Sequence, residues 1–215
     1  MSIVTDIKPQ KRKGDRANIY LDNKFAFSLN LALIHEAGLR VGQNLSQPEI
    51  EELARQDRSC AAFDASLHYL RYRPRSETEV RARLRRRKFD EEAIDSAIHR
   101  LEEQGHIDDV AFAQFWRENR ESFSPRGKRL LKVELRGKGV HPETIDEVVD
   151  GLNDEVNAYR AGVKKARALV ALDYRTFRDK LAAFLQRRGF GYDVIGATVE
   201  RLWREQKEAD DDNSL

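Results

Sequence analysis

An arginine-rich segment between residues 71 and 88 carries the most distinctive chemistry in the sequence. It reads RYRPRSETEVRARLRRRK and holds nine Lys or Arg residues against two Glu. Guanidinium groups form strong, bidentate hydrogen bonds with carboxylates and phosphates. Like charges four residues apart on a helix, such as Arg81 and Arg85, repel each other. A segment that tolerates this repulsion predicts a surface for an anionic partner, or acidic neighbours close by.

The histidines and carboxylates form no pattern that predicts catalysis or metal binding. Asp108 and Asp109 follow a Gly-His-Ile sequence and are best interpreted as an N-cap for a helix that starts at Val110. The Gly-Lys pairs at 127–128 and 137–138 lack the glycine spacing and the hydroxyl of a phosphate-binding loop. We therefore expect no enzymatic activity, no metal and no cofactor. The five histidines are scattered without metal-ligand spacing: His35, His68, His99, His106 and His141.

Basic residues recur at equivalent positions further along the chain. Arg85 and Arg136 share one position, and Arg87, Lys138 and Arg188 share another. A row of this kind suits a polyanion, or an acidic groove on a protein filament. We call this set the basic row and predict that it is the interaction site: Arg71, Arg73, Arg75, Arg81, Arg85, Arg86, Arg87, Arg126, Lys128, Lys132, Arg136, Lys138 and Arg188.

An alternative interpretation of the same residues is a solvated helix face. The acidic stretch from Asp90 to Glu103 directly follows the arginines and is able to neutralise them within the fold. The aromatic residues near the basic row favour core packing over stacking on bases for most positions: Tyr69, Tyr72, Phe115 and Trp116.

The elements that position these side chains are three copies of one sequence pattern. LRRRKFDEEAI at 84–94, LRGKGVHPETI at 135–145 and LQRRGFGYDVI at 185–195 align with offsets of 51 and then 50 residues. A fixed period of this length indicates a modular repeat. The third copy departs from the others, because Gln186 replaces the shared arginine and no Pro-Arg precedes it.

Each copy has the apolar spacing of three short helices. Val80 and Leu84 lie four residues apart, and Ile94, Ile98 and Leu101 form a second apolar stripe. Since a unit of about 50 residues buries little surface alone, we expect neighbouring units to pack end to end in an elongated array. The fold class is therefore mainly α, with three-helix repeats at 59–107, 108–155 and 156–205.

Residues 1–58 differ from the repeats and predict a small module of a β-hairpin and helices. β-branched and aromatic residues alternate on both sides of Asp22-Asn23, a pair that tolerates the positive φ of a tight hairpin turn. The segment 3–7 is a candidate third strand, and 31–37 a short helix that Gly38 ends. Ser46, with Glu49 three residues on, predicts a capped helix over about 48–58.

Composition sets the broad class of the protein. The 215 residues are 35% charged, yet 39 Lys and Arg balance 37 Asp and Glu to a net charge of +2. No apolar run suits a membrane span, no signal sequence is evident, and Cys60 has no partner for a disulfide. We expect a soluble, cytoplasmic monomer. The acidic end predicts a disordered tail over 206–215.

These motifs resemble the RecX family of bacterial regulatory proteins. The resemblance is carried by the segment 67–120, with RYRPRSETEVRARL and GHIDD, and by NIYLDNKFAFSLN and AGLRVGQNLSQPEIEEL in the N-terminal part. It covers nearly the whole chain.

The resemblance implies a function that composition alone does not indicate. RecX proteins modulate the recombinase RecA, and the family implies tandem three-helix repeats that bind the RecA nucleoprotein filament. Members are expected to restrain filament extension, strand exchange and ATP hydrolysis in recombination and the SOS response of DNA repair. The alternative is a nonspecific single- or double-stranded DNA-binding protein that acts by competition for DNA.

Overall fold

The computed structural model describes residues 1–11 and 15–212, and their side chains as far as residue 208. This part of the chain contains ten helices and four strands. It divides into two compact units, Met1–Ile107 and Asp108–Leu215. The first unit holds the N-terminal module and repeat 1, and the second holds repeats 2 and 3.

The N-terminal module is built on a four-stranded antiparallel sheet. Its strands are β1 (Ser2–Pro9), β2 (Arg16–Leu21), β3 (Lys24–Asn30) and β4 (Asn44–Leu45), in the order β3-β2-β1-β4. Asp22 and Asn23 connect β2 to β3 with φ angles of 50° and 64°. Two consecutive positive φ angles are those of a type I′ turn, so the predicted hairpin and third strand are confirmed. The short pairing with β4 was not predicted.

The capped helix at Ser46 is much longer than the sequence predicts. After α1 (Leu31–Glu36), the Ser46 hydroxyl and the Glu49 carboxylate form a capping box, and α2 runs over Gln47–Leu70. The boundary predicted between residues 58 and 59 therefore lies inside one helix. No Gly or Pro interrupts the chain between residues 49 and 70, so nothing local ends the helix there.

Each repeat consists of three helices, and the second helices of repeats 1 and 2 occupy the same aligned positions. Repeat 1 combines the end of α2 with α3 (Glu77–Arg86) and α4 (Glu91–Glu103). Repeat 2 contains α5 (Asp109–Phe123), α6 (Lys128–Gly137) and α7 (Pro142–Asp150), and repeat 3 contains α8 (Asp154–Arg167), α9 (Tyr174–Arg187) and α10 (Tyr192–Asp212). Both ends of α6 are 51 residues beyond those of α3, as the sequence alignment requires. The mainly α, tandem three-helix fold is thus confirmed, while the elongated array stays a prediction.

The aligned apolar positions form a separate core in each repeat. Leu84, Leu135 and Leu185 are completely buried, and the aligned isoleucines of each copy are at most 5% exposed. Burial of these side chains removes apolar surface from water and stabilises each repeat. The Asp108 carboxylate accepts hydrogen bonds from the amides of Val110 and Ala111, which confirms the predicted N-cap of α5.

The turn between the second and third helices of each repeat contains one residue whose φ lies in the left-handed region. Gly139 and Gly189 have φ angles of 81° and 85°, and Lys88 takes the same position in repeat 1 with 64°. The next residue of each turn is apolar and packs inward: Phe89, Val140 and Phe190. The predicted helix stops are confirmed.

The C-terminal helix extends into the segment that the sequence predicts to be a disordered tail. α10 continues to Asp212, so the expectation of disorder is wrong for residues 206–212. The Glu205 carboxylate accepts a hydrogen bond from the Tyr159 hydroxyl at 2.9 Å, which holds this part of the helix against α8. The following residues through Ala209 are mostly good helix formers, which favours continuation. Residues 213–215 lie outside the described residues.

Candidate interaction surface

Helix α3 places two arginines of the basic row beside acidic residues of its own repeat. Arg81 donates hydrogen bonds to Glu77 and to Asp95 on α4, each at 2.5 Å. Arg85 donates through two nitrogens to Glu91 at 2.7 and 2.8 Å, and this contact lowers the pKa of Glu91. For these two arginines the structure agrees with the alternative interpretation, in which the following acidic helix neutralises the charge.

Arginines in the loop before α3 also contact groups of the protein itself. Arg73 forms a bidentate pair with Glu79 at 2.9 and 3.0 Å and donates to the Pro74 carbonyl. The guanidinium of Arg75 lies over the ring of Tyr69, 4.1 Å from its centroid. Two more members of the basic row therefore help to hold the connection between α2 and α3.

Repeat 2 repeats one of these ion pairs at the aligned positions. Lys132 contacts Asp146 at 2.6 Å, and both residues lie 51 positions beyond Arg81 and Asp95. The hydrogen bond from Lys132 lowers the pKa of Asp146. The Lys128 ammonium group donates a hydrogen bond to the carbonyl of residue 150. In repeat 3 the aligned positions are Ala and Gly, so this link is absent there.

A cation-rich cluster surrounds Trp116 in repeat 2. The Glu134 carboxylate accepts from the Trp116 indole at 2.9 Å and from Arg120 at 2.7 Å, and Arg126 lies 3.7 Å from its other oxygen. Arg120 and Lys138 lie over the indole ring, 4.5 and 4.9 Å from its centroid. Sequence reasoning placed Arg126 and Lys138 in the basic row but missed Arg120 and Glu134, which have no equivalent ion pair in repeat 1.

Arg188 lies at the contact between repeats 2 and 3. Its guanidinium donates to the Pro125 carbonyl at 3.2 Å and lies over the Phe184 ring at 4.6 Å. Burial, together with the nearby charge of Arg126, lowers the pKa of Arg188 below the ordinary arginine value. Arg188 therefore joins two repeats and is partly withdrawn from solvent.

Five arginines of the basic row are exposed, and all except Arg85 form no ion pair among the described residues. The Arg87 guanidinium lies 5.9 Å from the Phe89 ring centroid. Within the part of the chain that the structure describes, the other exposed arginines without an ion pair are Arg71, Arg86 and Arg136. These four have the full charge of their guanidinium groups available to a partner. The assignment of the whole basic row to partner binding stays a prediction.

The structure exposes two aromatic residues that sequence reasoning did not select as surface contacts. Tyr72 is 74% exposed and Phe123 is 83% exposed. The expectation of core packing is therefore wrong for Tyr72. A signal was present in the sequence, because the repeat alignment at Pro74 and Pro125 extends two residues upstream to these aromatics.

Among residues 1–11 and 15–212, no group of three or more His, Cys, Asp or Glu side chains is placed to hold a metal ion. The same residues include no helix with the length and apolar character to cross a membrane. A cavity of about 1100 Å³ in the first unit is lined by residues of the module and repeat 1, including Leu33, Phe63 and Cys60. Burial raises the pKa of the Cys60 thiol.

Family models match the chain in four consecutive segments. The regulatory protein RecX N-terminal domain matches residues 2–46, and the first, second and third RecX three-helix domains match 62–101, 108–149 and 153–199. The match of the second domain begins at residue 108, where the second compact unit also begins.

Individual relatives agree with these models over the length of the chain. A regulatory protein RecX of Bacillus subtilis (strain 168) is 30% identical over 219 aligned positions, covering 100% of this chain and 83% of the relative. That of Lactobacillus johnsonii is 32% identical and covers 98% and 78%.

Two solved structures resemble the fold. A crystal structure of regulatory protein RecX superposes with a TM-score of 0.73 at 27% identity, covering 93% of this chain and 100% of that one. RecX from Lactobacillus salivarius gives 0.59 at 26% identity, covering 68% and 97%. On the matched domains, their order and the shared fold, the chain belongs to the RecX family of regulatory proteins.

Proposed function

We propose that this protein is a negative regulator of the recombinase RecA. It binds the RecA nucleoprotein filament and restrains filament extension, strand exchange and ATP hydrolysis in recombination and SOS DNA repair. The observation that carries the proposal is the presence of all four RecX domains, in order, along one chain.

The repeated geometry supports a periodic partner. Repeats 1 and 2 carry the same helix positions and the same cross-helix ion pair, Arg81 to Asp95 and Lys132 to Asp146. Repeats 1 and 2 thus offer a similar surface, and a filament offers similar protomers in succession. Contacts that are weak individually gain strength when one chain makes several of them, since the second contact forms at high effective concentration.

The competing proposal is that the protein binds DNA without sequence preference and displaces RecA. It draws support from the exposed arginines that have no ion pair among the described residues, Arg71, Arg86, Arg87 and Arg136, because phosphate contacts need cations of this kind. The other members of the basic row engage groups of the protein itself, which favours the filament as the principal partner.

RecA ATP hydrolysis on saturating single-stranded DNA separates the two proposals. A protein that binds the filament inhibits hydrolysis when no DNA is left uncovered, and inhibition persists as salt rises, provided that RecA alone still hydrolyses ATP there. A competitor for DNA loses its effect steeply with salt, because phosphate contacts release counterions. Absence of inhibition at low and high salt, with no retention on filaments in co-sedimentation, would reject the RecA proposal.

A further inference from the structure

Two exposed aromatic residues occupy the same position in repeats 1 and 2. Tyr72 and Phe123 are 51 residues apart, and each is followed by one residue and then Pro-Arg. They are 74% and 83% exposed. One exposed aromatic side chain is ordinary in a protein surface. Two at one repeat position, each at the end of the first helix of its repeat, form a pattern that a repeated contact would explain.

The backbone around each aromatic is restricted. Pro74 and Pro125 limit φ at their own positions and favour an extended conformation for the residue before them. Ser124, between Phe123 and Pro125, has φ −156° and ψ 71°. Tyr72 also meets the His68 ring edge to face at 5.9 Å between centroids. A side chain on a restricted backbone loses less conformational entropy on binding, which favours its use as an anchor.

The arginine that follows each aromatic is engaged within the protein, whereas Arg71, which precedes Tyr72, is exposed and forms no ion pair among the described residues. Arg73 pairs with Glu79 next to Tyr72, and Arg126 lies 3.7 Å from Glu134 near Phe123. Sites that stack nucleic-acid bases combine a cationic groove with successive aromatics. Tyr72 and Phe123 are single rings 51 residues apart instead of successive aromatics, and the nearest following arginine is already paired in each case, so each ring fits an apolar pocket on a protein better. Tyrosine and phenylalanine are enriched in the cores of protein interfaces.

The third repeat has no equivalent residue. Tyr72 and Phe123 each lie four residues before the N-cap of the second helix, and the residue at that distance from Asp173, the N-cap of α9, is the buried Leu169. Tyr174, which follows Asp173, packs on Trp203, with 5.3 Å between ring centroids. The chain therefore presents two aromatic residues of this type, one in each of the first two repeats.

We propose that Tyr72 and Phe123 are equivalent anchors that enter the same apolar pocket on two protomers of the RecA filament. The inference rests on the proposed function and names the surface that performs it. Each anchor buries its ring in one protomer, and the chain between them makes the second contact intramolecular. Aromatic anchors in such pockets commonly dominate the binding energy of an interface.

The test compares Tyr72→Ala, Phe123→Ala and the double variant with Tyr192→Ala as the matched control. Tyr192 is 78% exposed but lies at a different repeat position, at the start of α10. Affinity is measured on RecA filaments assembled on single-stranded DNA. We expect each anchor variant to bind at least about tenfold more weakly and the control to stay within about twofold of the original protein. Equal circular dichroism spectra and melting temperatures check that all variants fold.

The outcomes separate the inference from the proposed function. If the original protein is not retained on filaments, the proposed function fails; if it is retained and the folded double variant binds equally well, only the anchors are rejected. If the double variant loses affinity for single-stranded DNA by the same factor when no RecA is present, the two rings stack on bases and the proposal of a pocket on RecA is rejected.

Isolated RecA protomers test the claim of two pockets. A single protomer accepts one anchor at a time, so each single variant should lose no more than about twofold in affinity there, while losing tenfold on filaments. If one single variant loses the same factor on protomers and filaments, one pocket explains the data and the two-protomer arrangement is rejected.

Discussion

Lys88 takes a backbone conformation that is occupied by glycine in the other two repeats. Its φ of 64° lies in the left-handed region, where the Cβ atom of a non-glycine residue crowds the following carbonyl oxygen. Gly139 and Gly189 make the same turn without that cost. Repeat 1 therefore carries a local strain that repeats 2 and 3 avoid.

Replacing this residue should stabilise repeat 1. We expect Lys88→Gly to raise the free energy of unfolding by roughly 0.5–1 kcal/mol, as relief of strain exceeds the greater flexibility of glycine in the unfolded chain. Thermal unfolding followed by circular dichroism measures the change. Lys88→Ala is the control, since it removes the charge and keeps the Cβ atom. Equal stabilisation by Ala would attribute the effect to charge instead of conformation.

Gly127 permits a close backbone contact between repeats 2 and 3. A Cβ atom at this position would lie 2.3 Å from the Gly189 carbonyl oxygen, well inside van der Waals contact. The Gly127 amide also donates to the Arg188 carbonyl at 2.9 Å. Backbone atoms cannot rotate away as a side chain can, so a methyl group must separate the two repeats.

We expect Gly127→Ala to destabilise the second unit by about 2 kcal/mol. Gly137 provides the matched control, because it lies in the same helix α6 with open space around its Cβ position. Gly137→Ala should be neutral or stabilise by up to about 1 kcal/mol through helix propensity. Urea unfolding monitored by tryptophan fluorescence reports on this unit, which contains both tryptophans. Similar effects of the two substitutions would contradict the backbone contact.

At the scale of elements, α2 connects the N-terminal module and repeat 1 through one continuous helix. It begins at the Ser46 cap and ends at Leu70, so the sheet and the first three-helix core share a helix. Leu53 belongs to the module core and Phe63 to the repeat core. A continuous helix couples the stability of the elements packed along it.

A proline in the exposed middle of α2 should break this coupling. Gln56→Pro removes one intrahelical hydrogen bond and introduces a clash with the preceding turn, a cost of about 3 kcal/mol. We expect increased proteolytic cleavage near residue 56. Gln56→Ala controls for the lost side-chain contact with Glu52. Resistance of the proline variant to the same degree as the alanine variant would show that the helix is not needed between the two cores.

Helix α3 carries arginines with two different roles. Arg81 is held by Glu77 and Asp95, whereas Arg86 is exposed and, among the described residues, has no ion pair. Partly exposed ion pairs contribute modestly, so Arg81→Glu should reduce the free energy of unfolding by up to about 1 kcal/mol.

Arg86→Glu should leave stability unchanged and weaken filament binding if the exposed cations meet the partner. Affinity on RecA filaments and thermal unfolding, measured on both variants, separate the two roles. Unchanged filament affinity of the folded Arg86→Glu protein would remove Arg86 from the interaction surface.

At the scale of the whole molecule, 37 Asp and Glu reduce the charge of 39 Lys and Arg to +2, and internal ion pairs place several of these opposite charges side by side. Of the thirteen residues in the basic row, four are exposed without an ion pair in the part of the chain that the structure describes: Arg71, Arg86, Arg87 and Arg136. Counterion release scales with the number of phosphates neutralised, about 0.7 per contact on single-stranded DNA.

The salt dependence of single-stranded DNA binding should therefore be shallow. If four arginines contact phosphates, the slope of log K against log salt should be roughly −3, whereas participation of all thirteen residues predicts roughly −9. Fluorescence anisotropy with a labelled oligonucleotide across a salt series measures it. A slope near −9 would mean that the internal ion pairs open on binding.

Much of this fold follows from local pattern in the amino-acid sequence. The I′ hairpin at Asp22-Asn23, the capping box at Ser46 and the helix stops at Gly139 and Gly189 depend on residues within a few positions of each other. Because the pattern recurs at offsets of 51 and 50 residues, the sequence also predicts equivalent core residues in all three repeats, and these apolar residues are buried. The predicted ends of α2 and α10 were wrong, because no residue near either predicted end marks a stop.

The sequence by itself determined which residues are basic and which positions repeat, but only the tertiary structure decided what each side chain contacts. Arg81 and Arg86 look alike in sequence, yet packing of α3 against α4 brings one beside Asp95 and leaves the other in solvent. The same holds for Tyr72, which spacing alone predicts to be core. Ion pairing and exposure depend on which faces of two helices meet, and that is set by three-dimensional packing over distances that local spacing does not encode.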